Sequence, residues 1–362
     1  MNGLVCKPNL KEVQTRLRSL YAREAGDRIF ATMAVPNAAL TAFARAYPHG
    51  ACGYPDMAER IRFWDDYFRQ RSAVEDDAMP AAYLSELDQG LYGGLLGAEV
   101  RFMAHPDTGW ISSMVPPLLA DWSEFDRLRF SPEHPWWQRY LRQLEAFVGG
   151  SEGKFGISHF ILIDGLNFVF ELLGATRTYL SLDERPEMIR RAIDFAFDLN
   201  VRVQEQFFAT VPSLDGGTFS NFAQWLPGRV VSESIDPYHM TSVAYFEYWG
   251  REPAERIMTH FDGGVIHVHA NGRHLLEAAA TLRGLKAMLL ADDLGFPSAF
   301  ELVELLKARV GDVPISVFAP YEQFQDRLAR RALPGGVLYQ VQDVPNVEAA
   351  NRLMERVREY RG

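Results

Sequence analysis

Short apolar runs and amphipathic segments alternate regularly along the second half of the chain. The apolar runs predict buried strands over 264–270, 285–291, 313–318 and 335–341. The segments between them carry apolar residues at helical spacing and predict helices over 274–282, 298–309, 321–331 and 346–360. Strands that alternate with helices of this size indicate βαβ units and therefore a parallel sheet.

The chain before residue 264 shows the same elements with less regularity. Its pattern predicts helices over 9–21, 57–71, 183–209 and 240–261. It predicts strands over 28–35, 81–86, 110–114 and 155–163, and loops at the glycines between 90 and 97. These units predict an α/β fold in one domain, 1–362: a single (β/α)8 TIM barrel with 1–25 as an N-terminal helical extension.

Charge and cysteine usage narrow the function classes. The formal net charge is −10, which argues against a nucleic-acid partner because phosphate neutralisation needs a basic surface. The two cysteines, Cys6 and Cys52, lie far along the chain from the strand predicted over 264–270, which carries two histidines, and suggest neither a disulfide framework nor a thiolate-rich zinc site. The first 20 residues lack the apolar stretch of a signal peptide or membrane span. We expect a cytoplasmic protein with no membrane partner.

Two histidines at the end of one predicted strand are the strongest chemical signal. In Val265-Ile-His-Val-His-Ala-Asn-Gly272, alternation puts His267 and His269 on one face and Ile266 and Val268 on the other. Two imidazoles at the carboxyl end of a buried strand are placed to share one small target. The alternative is that both are core histidines that hydrogen-bond to neighbours.

Polar residues also follow the other predicted strands, where the chemistry of such barrels gathers. Two imidazoles and a carboxylate from a neighbouring strand form a normal ligand set for a divalent metal. Asp292 is the best third ligand on this logic, and Gln342 or Glu233 a weaker fourth. The alternative is that Asp292 and Asp293 cap a helix that begins near Pro297.

From about residue 122 onwards, the chain resembles the uroporphyrinogen decarboxylase-like superfamily, which includes corrinoid-linked, zinc-dependent methyltransferases. The matching segments are Leu180-Ser-Leu-Asp-Glu-Arg-Pro-Glu-Met-Ile189, Val231-Ser-Glu-Ser-Ile235, Val265–Gly272 and Gly336-Val-Leu-Tyr-Gln-Val-Gln342. The resemblance implies a single (β/α)8 barrel.

Departures from the superfamily pattern limit what carries over. Met33-Ala-Val-Pro-Asn-Ala-Ala39 lacks the arginines with which the decarboxylases hold substrate carboxylates, and Thr218-Phe-Ser-Asn221 replaces their Phe-Asp-Ser segment. The methyltransferases have His-x-Cys where this chain has His267-Val-His269, with Gln340 or Gln342 near a second cysteine position. Loss of both thiolates favours a harder, more Lewis-acidic metal site.

The resulting hypothesis is a metal-dependent enzyme that transfers a methyl group between a small organic substrate and a corrinoid or folate-type carrier. The ion is expected to be zinc, with iron, manganese or cobalt as alternatives. The predicted residues are metal ligands His267, His269, Asp292 and Gln342, catalytic Asp292, Glu233 and Asp164, and substrate-binding Asn167, Asn221, Asn271 and Tyr321. Candidate protein partners are a corrinoid protein and a second copy of the chain, as a homodimer.

Two other interpretations stay open at this stage. One is a metal-free decarboxylase or lyase that acts on a carboxylated, tetrapyrrole-like substrate and uses Asp164, His267 and Asp292 as acid and base groups. The other is a non-catalytic subunit that docks a corrinoid protein.

Overall fold

The computed structural model of the protein describes residues 3–362, so the first two residues of the predicted N-terminal extension lie outside the described part. The strands are β1 Phe30–Met33, β2 Gly50–Cys52, β3 Ala81–Tyr83, β4 Arg101–His105, β5 Trp110–Met114, β6 Gly156–His159, β7 Gly217–Ser220, β8 Trp225–Pro227, β9 Val230–Ser234, β10 Gly263–Val268, β11 Leu285–Leu290, β12 Ile315–Pro320 and β13 Val337–Gln342.

The α-helices are α1 Leu10–Tyr21, α2 Ala38–Ala46, α3 Met57–Gln70, α4 Gly90–Leu95, α5 Pro135–Ser151, α6 Gly165–Leu173, α7 Ala175–Glu184, α8 Pro186–Thr210, α9 Val243–Tyr245, α10 Arg251–His260, α11 Leu276–Ala280, α12 Val303–Val310, α13 Tyr321–Ala329 and α14 Val347–Glu359. A π-helical turn covers Phe246–Gly250, and 3₁₀ turns cover Ser85–Leu87, Trp122–Arg127, Asp236–Met240 and Ala270–Leu275.

A six-stranded parallel sheet in the order β1-β13-β12-β11-β10-β9 is the largest element of the fold. Five of its strands come from the regular second half of the chain, and their inward and outward side chains are nearly all buried, as expected when helices cover a parallel sheet. In a second sheet, β3, β6 and β7 are parallel and β8 returns antiparallel to β7. The predicted α/β architecture with a parallel sheet is therefore confirmed.

The backbone ladders do not run as one closed ring of eight strands among residues 3–362. A single parallel bridge, Ile161 to Ser232, connects the continuation of β6 to β9. Between β1 and β3, two side chains and one backbone bond take the place of a ladder. The Asp77 carboxylate accepts from the Ala31 N–H at 2.9 Å, and the Asp76 carboxylate accepts from the Met33 N–H at 2.8 Å. The Asp77 N–H donates to the Ala31 carbonyl at 2.9 Å. We call this junction the acidic seam.

The acidic seam is buried together with the cations that neutralise it. Lys7 Nζ lies 3.1 Å from Asp76 Oδ1, and the Arg71 guanidinium donates to Oδ2 at 2.6 Å. Asp77 is held in the same way by Arg16, at 2.6 Å. Burial by itself raises the pKa of the Asp76 carboxyl, but Arg71 and Lys7 outweigh it and keep that pKa below its usual range.

Three sequence predictions differ from the structure in local detail. The glycines between 90 and 97, predicted as loops, form the buried helix α4, in which Gly93 packs so closely that an added Cβ would lie 2.5 Å from Val115. The helix predicted over 240–261 is split into α9, the π-helical turn and α10. The strand predicted over 81–86 ends at Tyr83, where a 3₁₀ turn begins.

A separate antiparallel sheet in the order β2-β4-β5 lies outside the parallel sheets. It has a small apolar cluster of its own, formed by Phe43, Phe102 and Ile111. The buried Arg60 ties this region to the rest of the fold, because it pairs with Glu86 and donates to the Gly109 carbonyl at 2.8 Å.

Candidate metal centre

The two histidines of β10 lie together at the carboxyl end of the six-stranded sheet. His267 is in register with Ser234 of β9, and His269 follows the last residue of β10. Their ring centroids are 5.0 Å apart, with His267 buried and His269 half-exposed. The aromatic ring of Phe222 packs against His267 at 4.7 Å. The predicted placement of both imidazoles on one face is therefore what the structure contains.

Asp236 brings a carboxylate to this pair. It begins the 3₁₀ turn that follows β9, so the chain bends back over the end of the neighbouring strand. Both carboxylate oxygens lie 3.1 Å from His267 Nε2, and Oδ2 lies 4.0 Å from His269 Nε2. Burial raises the pKa of Asp236, but His267, and then His239 and His269, lower it to about 2. The carboxylate is thus ionised and faces two imidazole nitrogens.

A second carboxylate fixes the orientation of His269. Asp293 Oδ1 lies 2.8 Å from His269 Nδ1, and Asp293 Oδ2 accepts from the Ala270 N–H at 2.6 Å. Because the backbone contact anchors the carboxylate, its other oxygen favours the tautomer with hydrogen on Nδ1. The lone pair of His269 Nε2 is then directed toward Asp236, as in histidines whose outer nitrogen is held by a carboxylate.

A third histidine, His239, lies behind Asp236 on the same 3₁₀ turn. Its Nδ1 is 3.6 Å from Asp236 Oδ1, and its ring centroid is 5.7 Å from that of His269. The ring packs directly on the backbone of Gly272, where an added Cβ would lie 2.1 Å from His239 Cδ2. Burial lowers the pKa of His239 to about 4, so the ring is neutral near pH 7.

The structure places Asp292 differently from its predicted role as third ligand. Its Oδ1 accepts from the Ala299 N–H at 2.6 Å and lies 3.2 Å from the Arg273 guanidinium. These contacts cap the turn that leads into α12, which is the alternative that the sequence left open. The group of ligand atoms within 4.8 Å of one another therefore contains Asp236, His267 and His269, and not Asp292.

Glu233 and Gln342 also lie apart from this group. Glu233 is in register with Ile266, so it points to the face of the sheet opposite to His267. Burial raises the pKa of Glu233, and so do the nearby charges of Asp164 and, to a smaller extent, Asp236. Burial likewise raises the pKa of Asp164. Gln342 ends β13 and donates to the carbonyl of Gln340 at 2.9 Å.

The four predicted substrate-binding residues are scattered around the strand ends. Asn167 donates to the Ser234 carbonyl at 2.7 Å, and Asn221 accepts from the Ser232 hydroxyl at 3.0 Å. Asn271 is exposed, with its amide nitrogen 3.7 Å from the sulfur of Met240. Tyr321 begins α13 and packs against the hydrophobic core. Of the four, Asn271 is closest along the chain to the histidine pair and is open to solvent.

Sequence reasoning missed three members of the site: Asp236, His239 and the contact of Asp293 with His269. Asp236 follows a strand and directly precedes a proline, and this pattern is typical of the start of a helix. The spacing of Asp236 and His239, three residues apart, is the available signal, because on a helical turn such residues share a face.

A cavity of about 350 Å³ lies at the other end of the sheet. It is lined by Gly228, Arg229 and Asp262, which immediately precede β9 and β10. Catalytic groups of parallel α/β folds gather at the carboxyl ends of the strands, whereas the amino ends contribute to stability. The histidine group is therefore the better candidate for chemistry.

The buried His159, at the end of β6, should make the stability of the folded protein depend on pH. It is fully buried, its Nδ1 lies 3.2 Å from the Ser232 hydroxyl, and burial lowers its pKa to about 3. The unfolded chain binds this proton below about pH 6.5 and the folded chain does not, so stability is complete above that pH and falls as the pH drops toward 3. We expect a slope of up to about 1.4 kcal/mol per pH unit from this group.

Urea unfolding of wild type and His159→Asn between pH 4 and 8 measures this slope. The variant should lose less stability on acidification than wild type, while His49→Asn, at an exposed histidine, should follow the wild-type profile. Parallel profiles for wild type and His159→Asn would contradict the assignment.

Comparisons with known proteins add one clear likeness. No protein-family model matches the chain, and no curated protein matches it in sequence. Among solved structures, a methyltransferase from Methanosarcina mazei is similar in fold, with a TM-score of 0.58 over 96% of this chain and 98% of that one, at 12% sequence identity. This chain therefore shares the overall fold of a methyltransferase. Within residues 3–362, no helix is long and apolar enough to cross a membrane.

Proposed function

We propose that this protein is a divalent-metal-dependent enzyme of the methyltransferase type, with Asp236, His267 and His269 as metal ligands. The observation that carries the proposal is the approach of these three side chains to within 4.8 Å of one another. They meet at the carboxyl ends of two adjacent parallel strands, which is where enzymes of this architecture bind substrates and metals.

The donor set fits a divalent ion. Ligands about 2.1 Å from an ion in tetrahedral geometry lie about 3.4 Å from one another, and the distances from Asp236 to the two Nε2 atoms are 3.1 and 4.0 Å. His267 Nδ1 is buried without a hydrogen-bond partner in the described part of the chain, so the ring is held by packing against Phe222 and by what its Nε2 binds. Two imidazoles with one carboxylate suit zinc, iron, manganese or cobalt.

The residues around the ion define what the site does. When bound, a divalent ion with this ligand set supplies a Lewis acid that activates an oxygen or sulfur nucleophile. Asp293 keeps His269 in the coordinating tautomer, and Phe222 covers one side of His267. Asn271 and Met240 lie at the exposed rim, where they can contact a small organic substrate.

Methyl transfer is the reaction class that the overall similarity favours. The structural neighbour is a methyltransferase, and the segments that resemble corrinoid-linked methyltransferases include the histidine strand itself. We infer a corrinoid or folate-type methyl carrier, with a corrinoid protein as the partner in the former case. We also infer that β1, β3, β6 and β9 to β13 wrap into a (β/α)8 barrel, with the β7–β8 hairpin inserted beside β6, on the support of the Ile161–Ser232 bridge and the acidic seam.

A metal-free function is the second candidate, and one contact favours it. The approach of Asp236 to His267 Nε2 at 3.1 Å also suits an acid and base pair, in which the carboxylate orients the imidazole. Such an enzyme would catalyse proton transfer, as in a decarboxylase or lyase, and would keep its activity in a chelator.

Metal analysis of protein purified without a histidine tag tests the main proposal. We expect about one equivalent of divalent metal in wild type and nearly none in His267→Ala, because the variant keeps only two of the three ligands. His49→Ala is the matched control, since it removes a histidine on the separate antiparallel sheet and should keep the metal. Equal metal content in wild type and His267→Ala would overturn the assignment.

A further inference from the structure

His239 is buried beside the candidate metal centre, but among the described residues its ring nitrogens lack the hydrogen-bond partners that a buried histidine usually has. It is 6% exposed, yet its Nε2 has no hydrogen-bond partner within residues 3–362. Its Nδ1 faces Asp236 Oδ1 at 3.6 Å, which is longer than a normal hydrogen bond. The ring is also not among the three mutually close ligands. It therefore lies in contact with the ligand set without being part of it.

The contacts of Asp236 change when the two β10 histidines bind an ion. Without metal, His267 Nε2 can donate a hydrogen bond to the Asp236 carboxylate at 3.1 Å. A coordinating nitrogen carries no hydrogen, so with an ion bound His267 Nε2 would no longer donate to Asp236. His269 Nε2 does not donate either, because Asp293 keeps the hydrogen of that ring on Nδ1. The carboxylate then needs another donor to hold its orientation.

We propose that His239 is the positioning residue that holds Asp236 in its metal-binding orientation, through a hydrogen bond from Nδ1–H to Oδ1. Oδ1 is the oxygen that His239 faces, whereas Oδ2 is the oxygen nearest His269, so Oδ2 would be available to an ion while Oδ1 accepts the hydrogen bond. The distance of 3.6 Å would have to shorten for this bond to form, and release of the carboxylate by His267 would allow it. Outer partners of this kind orient metal ligands and typically change metal affinity by about 10- to 100-fold.

Gly272 is part of the same arrangement. Any side chain at this position would collide with the His239 ring, because a Cβ would lie 2.1 Å from Cδ2 and 2.5 Å from Nε2. The Gly272 N–H donates to the His269 carbonyl at 2.9 Å, so the glycine is fixed to the strand that carries the ligands. The bare backbone therefore sets how close His239 comes to Asp236.

Cobalt(II) titration of tag-free protein tests the inference, which rests on the proposed metal centre. His239→Phe keeps a planar ring without a donor, and His239→Asn places an amide N–H near the position of Nδ1. We expect His239→Phe to weaken cobalt binding by about 10- to 100-fold and to shift the visible absorption bands of the bound ion. His239→Asn should recover most of the affinity, and Gly272→Ala should behave like His239→Phe.

The possible outcomes distinguish a failure of the role proposed for His239 from a failure of the proposed metal centre. Wild-type affinity and an unchanged spectrum in His239→Phe, with binding lost in Asp236→Asn, would overturn the role of His239 and leave the metal centre in place. A wild-type protein that takes up no cobalt would overturn both. Equal weakening in His239→Phe and His239→Asn would assign His239 a packing role and overturn the hydrogen bond. If His239→Phe fails to fold by circular dichroism, the comparison of wild type with His239→Asn and Gly272→Ala decides the matter.

Discussion

Asparagine in place of Asp236 is expected to reduce metal affinity by about 100-fold or more, which exceeds the effect of losing an outer partner. The substitution removes the charge of the carboxylate proposed as third ligand, which lies 3.1 Å from His267 Nε2 and 4.0 Å from His269 Nε2. It keeps the size of the side chain, so the surrounding packing is retained. Metal content and a competitive chelator titration measure the effect.

Asp292→Asn is the matched control, since it makes the same chemical change at the carboxylate that the sequence favoured as third ligand. Its amide oxygen can still accept from the Ala299 N–H, while the ion pair with Arg273 is lost. We expect full metal content and a destabilisation of about 1 kcal/mol. Metal loss in Asp292→Asn with retention in Asp236→Asn would reverse the assignment of the third ligand.

Asp76→Asn is expected to lower the free energy of unfolding by about 3–5 kcal/mol. The substitution leaves Lys7, which is 4% exposed, as a buried cation without its carboxylate partner. It also weakens the contact of Arg71 and the bond from the Met33 N–H that joins β1 to the segment before β3. Urea or thermal unfolding at pH 7 measures the change.

Two further variants test whether the loss of stability in Asp76→Asn comes from the acidic seam. Asp194→Asn removes a carboxylate paired with Arg256 at 2.7 Å on the surface and should cost no more than about 1 kcal/mol. Lys7→Met combined with Asp76→Asn removes the buried cation and carboxylate together and should recover part of the loss. A cost for Asp76→Asn as small as that for Asp194→Asn would show that the seam contributes little to stability.

The periodicity from residue 264 onwards was sufficient to predict the strands and helices of that region to within about five residues. Strands such as β10 and β11 are continuous apolar runs because both faces are covered, and a pattern of that kind is readable from sequence. The region around α4 was misread because its glycines permit close packing between elements rather than flexibility. Whether the strands join by ladders or by side chains depends on long-range contacts such as that of Asp76 with Met33, which no local pattern encodes.

The candidate site was located by sequence, but its third member was not. His267 and His269 share a strand, so alternation alone determines their common face. Asp236 and Asp292 both follow neighbouring strands, and only the course of each loop decides which carboxylate turns inward. Glu233 was predicted as a catalytic residue and a weaker fourth ligand, yet its register with Ile266 directs it to the opposite face. The register between two strands cannot be derived from a single sequence.

The position of β1 has a consequence for the order in which the chain folds. Its ladder partner is β13, with Phe30 opposite Leu338, about 300 residues later in the chain. During synthesis, β1 therefore lacks its ladder partner until β13 has been made. On its other side it is held by the carboxylates of Asp76 and Asp77 and by one backbone bond, from the Asp77 N–H to the Ala31 carbonyl. Pairing over such a sequence distance is slow to form. The late-made β13 thus completes the sheet that holds the histidines, and a nascent chain truncated before β13 exposes an unpaired apolar edge.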